Sequence, residues 1–280
     1  MHKIHKIIAN RYTVCDQDYN CQVLSAAGKL RLLDITPVVG DNVEINEHQI
    51  IEIKERKNWF IRPKVANIDQ MLVFMSVKEP KFQQFLLDKY LAIIEYENIE
   101  PIICLTKVDL AWDLALELQN QYQKMGYKVF LINNTTKELS NLKSIFKDKY
   151  SVFMGQSGVG KTTTLNSLSN NNFDTQAISK SLGRGKHTTR VVEIVPFNNG
   201  YLIDTPGFSS LAIPIDALEL AHSFNTFKQL LVNCKYRSCL HLNENEVDCA
   251  IKQAVTSNLI PQFRYDNYVK LQKELTERKF

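Results

Sequence analysis

The sequence predicts a multidomain chain of three parts: a small β-barrel or sandwich over residues 1–64, a parallel α/β unit over 65–215, and a helical unit with a metal-ligand cluster over 216–280. Three observations carry this division. Short β-type runs broken by turns fill the first part. Apolar strands then alternate with runs of helical periodicity, the signature of a parallel α/β sheet. After Pro214 the pattern turns helical, and three cysteines gather around one histidine. A length of 280 residues suits two or three domains.

The elements follow in order. "YTVC", "CQVLSA", "AGKLRLLD", "VVGDNVEIN" and "IIEIKER" read as closely spaced strands, with Gly28 and Gly40 at turns. "RPKVAN" marks a boundary, with Pro63 as the breaker. "DQMLVFMSV" is a buried strand, "FQQFLLDKYLAIIEYEN" a helix, "PIICLTKVDL" a strand that ends in polar residues, and "WDLALELQNQYQKMG" a helix stopped by Gly126. "YKVFLIN" and "YSVFMG" are strands, "KTTTLNSLS" is a helix, and "VVEIVPF" and "GYLIDTPG" are strands again. Seven of the ten glycines lie between 155 and 207, which concentrates tight backbone geometry there. "DALELAHSFNTFKQLLVN" reads as helix and leads into the cysteine cluster, and two further helical stretches close the chain.

Bulk composition narrows the function classes. Hydrophobic residues are 44% and charged residues 23%, ordinary for a soluble globular protein. No apolar run approaches ~18 residues, so no membrane partner is expected. "MHKIHKIIANRYTV" lacks the apolar core and cleavage site of a signal peptide, and a cytoplasmic location is the expectation. The net charge of +4 is spread thinly and does not by itself demand a nucleic-acid partner. "KSLGRGKHTTR", residues 180–190, is the local exception, with four Lys/Arg and no acid. Cys15, Cys21 and Cys104 read as scattered thiols, Cys104 in an apolar run. Cys234, Cys239, His241 and Cys249 read as a metal site, because three thiolates and an imidazole suit one closed tetrahedral zinc.

The chemistry-bearing stretch is "GQSGVGKTT": Gly155, Gln156, Ser157, Gly158, Val159, Gly160, Lys161, Thr162 and Thr163. It fits G-x-x-x-x-G-K-[ST] between a strand and a helix. Glycines let the backbone wrap a phosphate with N–H groups pointing inward, and the helix N-terminus faces the anion. Lys161 would reach the β- and γ-phosphates, and the Thr162 hydroxyl would bind Mg²⁺. "LIDTPG" follows about 45 residues later. There Asp204 would hold Mg²⁺ through its water, and the Gly207 N–H would contact the γ-phosphate. "TKVD", Thr106, Lys107, Val108 and Asp109, separates guanine from adenine. The Asp109 carboxylate can accept from guanine N1–H and its exocyclic amine, and Lys107 would lie over the base. The usual first residue is Asn; Thr106 is shorter and has no amide. An ATP-hydrolysing protein is the competing reading, and it is tested by competition between ATP and GTP.

The guanine motif precedes the phosphate loop, the reverse of the ordinary order. A parallel sheet can be cut in one loop and rejoined elsewhere while each strand keeps its place. The motifs in this order resemble the circularly permuted GTPase family called ribosome small subunit-dependent GTPase A (RsgA, also YjeQ or YloQ), along nearly the whole chain. "GKLR" with "VVGDNVEI" is similar to that family's N-terminal OB-fold barrel, "RKNWFIRPKVANIDQ" to its entry into the GTPase domain, and "CKYRSCLH" with "IPQFRYDNYVKLQKEL" to its C-terminal zinc domain. "GRGKHTTR" is the most specific of these stretches. Members space the last Cys five residues beyond the His, whereas seven residues separate His241 from Cys249 here. Their base-contacting "SA"-like turn is replaced here by a stretch near "NNTT", with Asn133 and Asn134 in its place.

The resemblance implies a Mg²⁺-dependent GTPase that turns GTP into GDP and phosphate, carries one Zn²⁺, and binds the small ribosomal subunit and its rRNA during late maturation. The subunit stimulates hydrolysis, hydrolysis promotes release, and the protein is a monomer. The alternative is a GTP-gated RNA- or ribosome-binding module whose hydrolysis is incidental. After "DTPG" many GTPases place Gln to position water; here Phe208 cannot. The nearest candidate by motif is His187, to which the resemblance also points. Thr188 or Thr189 would close on Mg²⁺, and the sequence does not decide between them.

Overall fold

The computed structural model describes residues 2–32, 36–61, 63–133, 136, 139–169, 192–204 and 215–277. Five strands open the chain: β1 (His2–Ile8), β2 (Arg11–Cys15), β3 (Cys21–Ala26), β4 (Asn42–Asn46) and β5 (Gln49–Ile53). They run in the order β1-β2-β3-β5-β4, and β4 pairs back onto β1 to close a barrel. All pairings are antiparallel except β3 with β5. This is the five-stranded Greek-key barrel of an OB-fold. Ile4, Tyr12, Val14, Leu24, Val43 and Ile50 point inward by the alternation of each strand and make its core.

Two expectations fail here. "AGKLRLLD" is not a strand: Gly28–Leu32 forms a short helix, α1. The Ala27 N–H donates to the Ile50 carbonyl and Leu30 N–H to Ala27, which turns the chain so that Leu30 plugs the barrel. Cys15 and Cys21 are not scattered: they stand opposite each other across β2 and β3 and form a disulfide.

A hairpin of β6 (Trp59–Ile61) and β7 (Lys64–Ala66) links barrel to α/β unit, so the 64/65 division falls inside β7. Next come β8 (Gln70–Ser76), α2 (Gln84–Tyr96), β9 (Glu100–Thr106), α3 (Trp112–Lys124), β10 (Lys128–Ile132), α4 (Ser140–Lys143), β11 (Tyr150–Met154), α5 (Lys161–Leu168), β12 (Glu193–Phe197) and β13 (Gly200–Asp204). The sheet order is β10-β9-β8-β11-β13-β12. Its strands are parallel except β12, which is antiparallel to β13. β8 is buried at every position, which is why it reads as an unbroken apolar run. The chain enters at β8 and lays β9 on one side before returning with β11 on the other. That topology permutes the motifs while leaving their strand ends aligned. β12 also pairs with β1, where Lys6 and Glu193 stand opposite each other with an ion pair of 2.8 Å, so barrel and α/β unit share one sheet.

The C-terminal part holds α6 (Ala217–Ala221), α7 (Asn225–Lys228), α8 (Ala250–Thr256) and α9 (Gln262–Glu277). The single helix expected over 216–233 is broken. Asp216 starts α6 with a capping box completed by Glu219. Phe224 is then extended, and the carboxylate of Glu95 on α2 accepts the Asn225 N–H at 2.8 Å, an external cap that begins α7. Phe224 and Phe227 thereby bury fully against Tyr268 of α9.

Arg264 of α9 joins this unit to α2. It has no exposed surface and pairs with Asp88, lies 3.7 Å from Glu95, and donates to the Tyr127 hydroxyl. Asn267 donates to the other Asp88 oxygen at 2.6 Å, and Tyr122 donates to Asp88 at 3.1 Å. Burial raises the carboxyls of Asp88 and Glu95 above the usual carboxylate range, and the Arg264 charge opposes that rise.

Candidate nucleotide site and metal centre

β9, β8, β11 and β13 are neighbours, and their C-terminal ends lie along one edge of the sheet, where ligands of open α/β sheets bind. Thr106 ends β9, Met154 ends β11 and Asp204 ends β13. Three strand spacings separate β9 from β13, about 14 Å, a span that an extended nucleoside triphosphate covers. The guanine motif therefore faces one end of this edge and Asp204 the other, with the phosphate loop between them.

The loop has the backbone that its glycines allow. Gly155 has φ +141°, and a Cβ there would sit 2.4 Å from the Phe74 carbonyl oxygen. Gly160 has φ +96° and stands at the N-terminus of α5, where its carbonyl accepts the Thr164 N–H. Val159 turns its side chain inward to pack with Phe74 and Leu165, while Ser157 and Gly158 are exposed and Gln156 and Gly160 half-buried. The Lys161 ammonium lies across the loop and donates to the carbonyls of Gly155 at 2.6 Å and Gln156 at 2.5 Å. Partial burial lowers its pKa. Thr162 and Thr163 are exposed on the first turn of α5.

The guanine motif occupies the end of β9 and the short turn that follows it. Thr106 is fully buried, with its hydroxyl 2.5 Å from the Val159 carbonyl. It sits under the phosphate loop. Lys107 takes a left-handed conformation and turns its ammonium to the Glu79 carbonyl. Val108 is buried, and Asp109 is exposed on the short turn Val108–Leu110. Asn133 follows β10 directly, beside the end of β9 through the Ile132–Thr106 pair. Asp204 is nearly buried at the end of β13, opposite Glu193. Asn134, His187, Thr188, Thr189, Gly207 and Phe208 lie outside the described residues.

At the C-terminal centre, the ligand atoms of Cys234, Cys239, His241 and Cys249 lie within 4.8 Å of one another. His241 Nδ1 is 3.9 Å from the Cys234 sulfur, 3.2 Å from that of Cys239 and 3.4 Å from that of Cys249. A tetrahedral zinc with ordinary Zn–S and Zn–N bonds needs N···S edges of about 3.5 Å, so the donor set fits that cation. Without a cation, burial pushes the Cys239 and Cys249 thiols up and the His241 imidazole down to about 4. The long His241–Cys249 loop is well braced. The Glu244 carboxylate accepts the Leu240 and Leu242 N–H groups, and Lys252 donates to the Leu242 and Glu244 carbonyls. Tyr265 donates to the His241 carbonyl at 2.6 Å, which ties α9 to the centre.

The Asp88–Glu95–Arg264 junction was not read from the sequence. A signal was present: Asp88 and Glu95 stand seven residues apart on the apolar face of α2, among Leu87, Leu91 and Ile94. Two acids on a core face call for a buried cation.

Residues 53–214 match the protein family described as RsgA GTPase. The Small ribosomal subunit biogenesis GTPase RsgA of Mycoplasmopsis agalactiae is 51% identical over 276 residues, covering 98% of this chain and 97% of that protein. Its counterpart in Bacillus subtilis is 41% identical over 293 residues, covering 99% and 98%. Among solved structures, YloQ, a circularly permuted GTPase, superposes with a TM-score of 0.79 at 36% identity, covering 99% of this chain and 94% of that one. YjeQ from Thermotoga maritima gives 0.83 at 31%, covering 99% of each. The permuted strand order, the aligned motif ends and these likenesses agree: the chain belongs to the RsgA GTPase family.

Proposed function

We propose that this protein is a GTPase of small ribosomal subunit biogenesis, which binds that subunit and couples subunit-stimulated GTP hydrolysis to late maturation and its own release. The observation that carries the reading is the alignment of the guanine motif, the phosphate loop and Asp204 on one sheet edge, in a family whose curated members carry that name. The working division is an OB barrel over 1–64, the GTPase unit over 65–215 and the zinc unit over 216–280.

The residues divide the work by chemistry. Asp109 accepts from the two guanine donors, and Lys107 covers the base. Residues Gly155 to Thr163 wrap the phosphates with N–H groups, and phosphate oxygens take the Lys161 ammonium from the carbonyls it now contacts. Mg²⁺, when bound, neutralises phosphate charge; the Thr162 hydroxyl, Asp204 through water, and Thr188 or Thr189 would hold it. The Gly207 N–H meets the γ-phosphate. His187 orients the attacking water when the subunit is bound, so turnover by the free protein is slow. Cys234, Cys239, His241 and Cys249 would hold one structural zinc, which contributes folding free energy to the C-terminal unit. The OB barrel and the basic 180–190 stretch supply RNA-facing surface. Among the described residues no helix is long and apolar enough to cross a membrane, and we take the protein to work as a cytoplasmic monomer. GTP turnover with added small subunits, large subunits and free RNA tests the proposal. Stimulation confined to small subunits supports it, and turnover indifferent to all three leaves only a GTP-gated binding module.

A further inference from the structure

We infer that Thr106 acts as a buried strap between the guanine-reading strand end and the phosphate loop, and that it consequently offers no donor to N7 of the purine. This rests on the guanine-nucleotide reading of the site and adds how the base is discriminated.

Thr106 has no exposed surface, and its Oγ1 lies 2.5 Å from the Val159 carbonyl and 3.4 Å from that of Met75. Both partners are carbonyl oxygens and can only accept, so the single hydroxyl proton is committed to the protein. Val159 is the inward-turned residue of the phosphate loop, anchored by its side chain beside Phe74 and Leu165. Its carbonyl is held by Thr106. The strap therefore fixes the height of the loop relative to β9. The backbone holds the same place: Val77 N–H donates to the Thr106 carbonyl at 3.2 Å.

Purine N7 is an acceptor and needs a donor. An asparagine at this position carries two amide hydrogens and could give one to the loop and one to N7. Threonine carries one, and the loop has it. Asp109 is acceptor-only when ionised, and the Lys107 ammonium is turned to the Glu79 carbonyl. The T-K-V-D side chains thus read the Watson–Crick edge of guanine through Asp109 and leave the N7 edge alone. The site should accept guanine nucleotides altered at N7.

The test is calorimetric titration of the whole protein with GDP, 7-deaza-GDP and ADP in Mg²⁺ buffer. The expected result is GDP far tighter than ADP, with 7-deaza-GDP within about twofold of GDP, since no donor is left unpaired. A loss of about tenfold or more on removing N7 would show a donor aimed at it and overturn the inference, leaving the guanine site intact. Equal affinity for GDP and ADP would overturn the guanine reading and the inference with it. Thr106→Val removes the strap hydroxyl at constant shape. It should weaken GDP and 7-deaza-GDP by the same factor, about 5–10, with Thr106→Ser restoring both. Unequal losses, or no loss, would refute the strap.

Discussion

Replacing Arg264 by Met tests the joint between the zinc unit and the GTPase unit. The substitution keeps the apolar stem and removes the guanidinium, which lies 4.1 Å from the centre of the Phe224 ring as well as beside two buried carboxylates. Asp88 would keep its bonds from Asn267 and Tyr122, and Glu95 its bond from the Asn225 N–H. Asp88 would keep no compensating charge beside it, and Glu95 only that of Lys228, whose ammonium donates to the Glu95 carbonyl at 2.7 Å. Breaking a buried pair in this way costs about 3–5 kcal/mol. With a urea dependence of about 2–3 kcal/mol/M, the unfolding midpoint followed by circular dichroism should fall by about 1–2 M. The pH dependence has a definite sign. Burial raises the folded-state pKa of both carboxyls, so their contribution to stability is present at low pH and is lost as pH rises through the folded values. Without Arg264 the rise is larger. The deficit of the variant should therefore be greatest at alkaline pH and shrink as pH falls and each carboxyl takes a proton. A midpoint shift below about 0.3 M, or a deficit that does not change with pH, would refute the account of the junction.

Asp109→Asn should weaken GTP and favour xanthosine triphosphate, whose carbonyl needs a donor; unchanged preference for GTP in competition binding would count against the base assignment. His187→Ala should leave GTP affinity nearly intact and remove most subunit-stimulated turnover. Survival of that turnover, with subunit binding intact, would exclude His187 from catalysis. Metal analysis of the purified protein should find about one zinc per chain, and chelation should lower thermal stability. A folded C-terminal unit without metal would contradict the centre.

The nucleotide edge was legible because its chemistry constrains residue type and spacing together. A phosphate loop needs glycines where a Cβ would strike backbone, as at Gly155 against Phe74, and such requirements show in sequence. β8 and β9 were legible for a different reason: a strand buried on both faces has no polar alternation. The metal centre was visible from residue type and clustering. The parts that were not legible depend on distant partners. "GKLRL" is apolar enough for a strand and becomes α1 because the Ile50 carbonyl and the open barrel end are there to receive it. The break between α6 and α7 is made by Glu95, some 130 residues earlier. The depth of Thr106 and its bond to the Val159 carbonyl arise only once the phosphate loop folds over the end of β9. Cys15 and Cys21 needed the β2–β3 register before they could be paired.

The central claim is that this permuted site hydrolyses GTP in answer to the small ribosomal subunit. Its most direct measurement is phosphate release from GTP by the purified protein, alone and with equimolar small or large subunits at fixed Mg²⁺. The account predicts slow release alone, a large increase with small subunits, and little change with large ones. Equal rates in all three mixtures, with nucleotide binding intact, would contradict it.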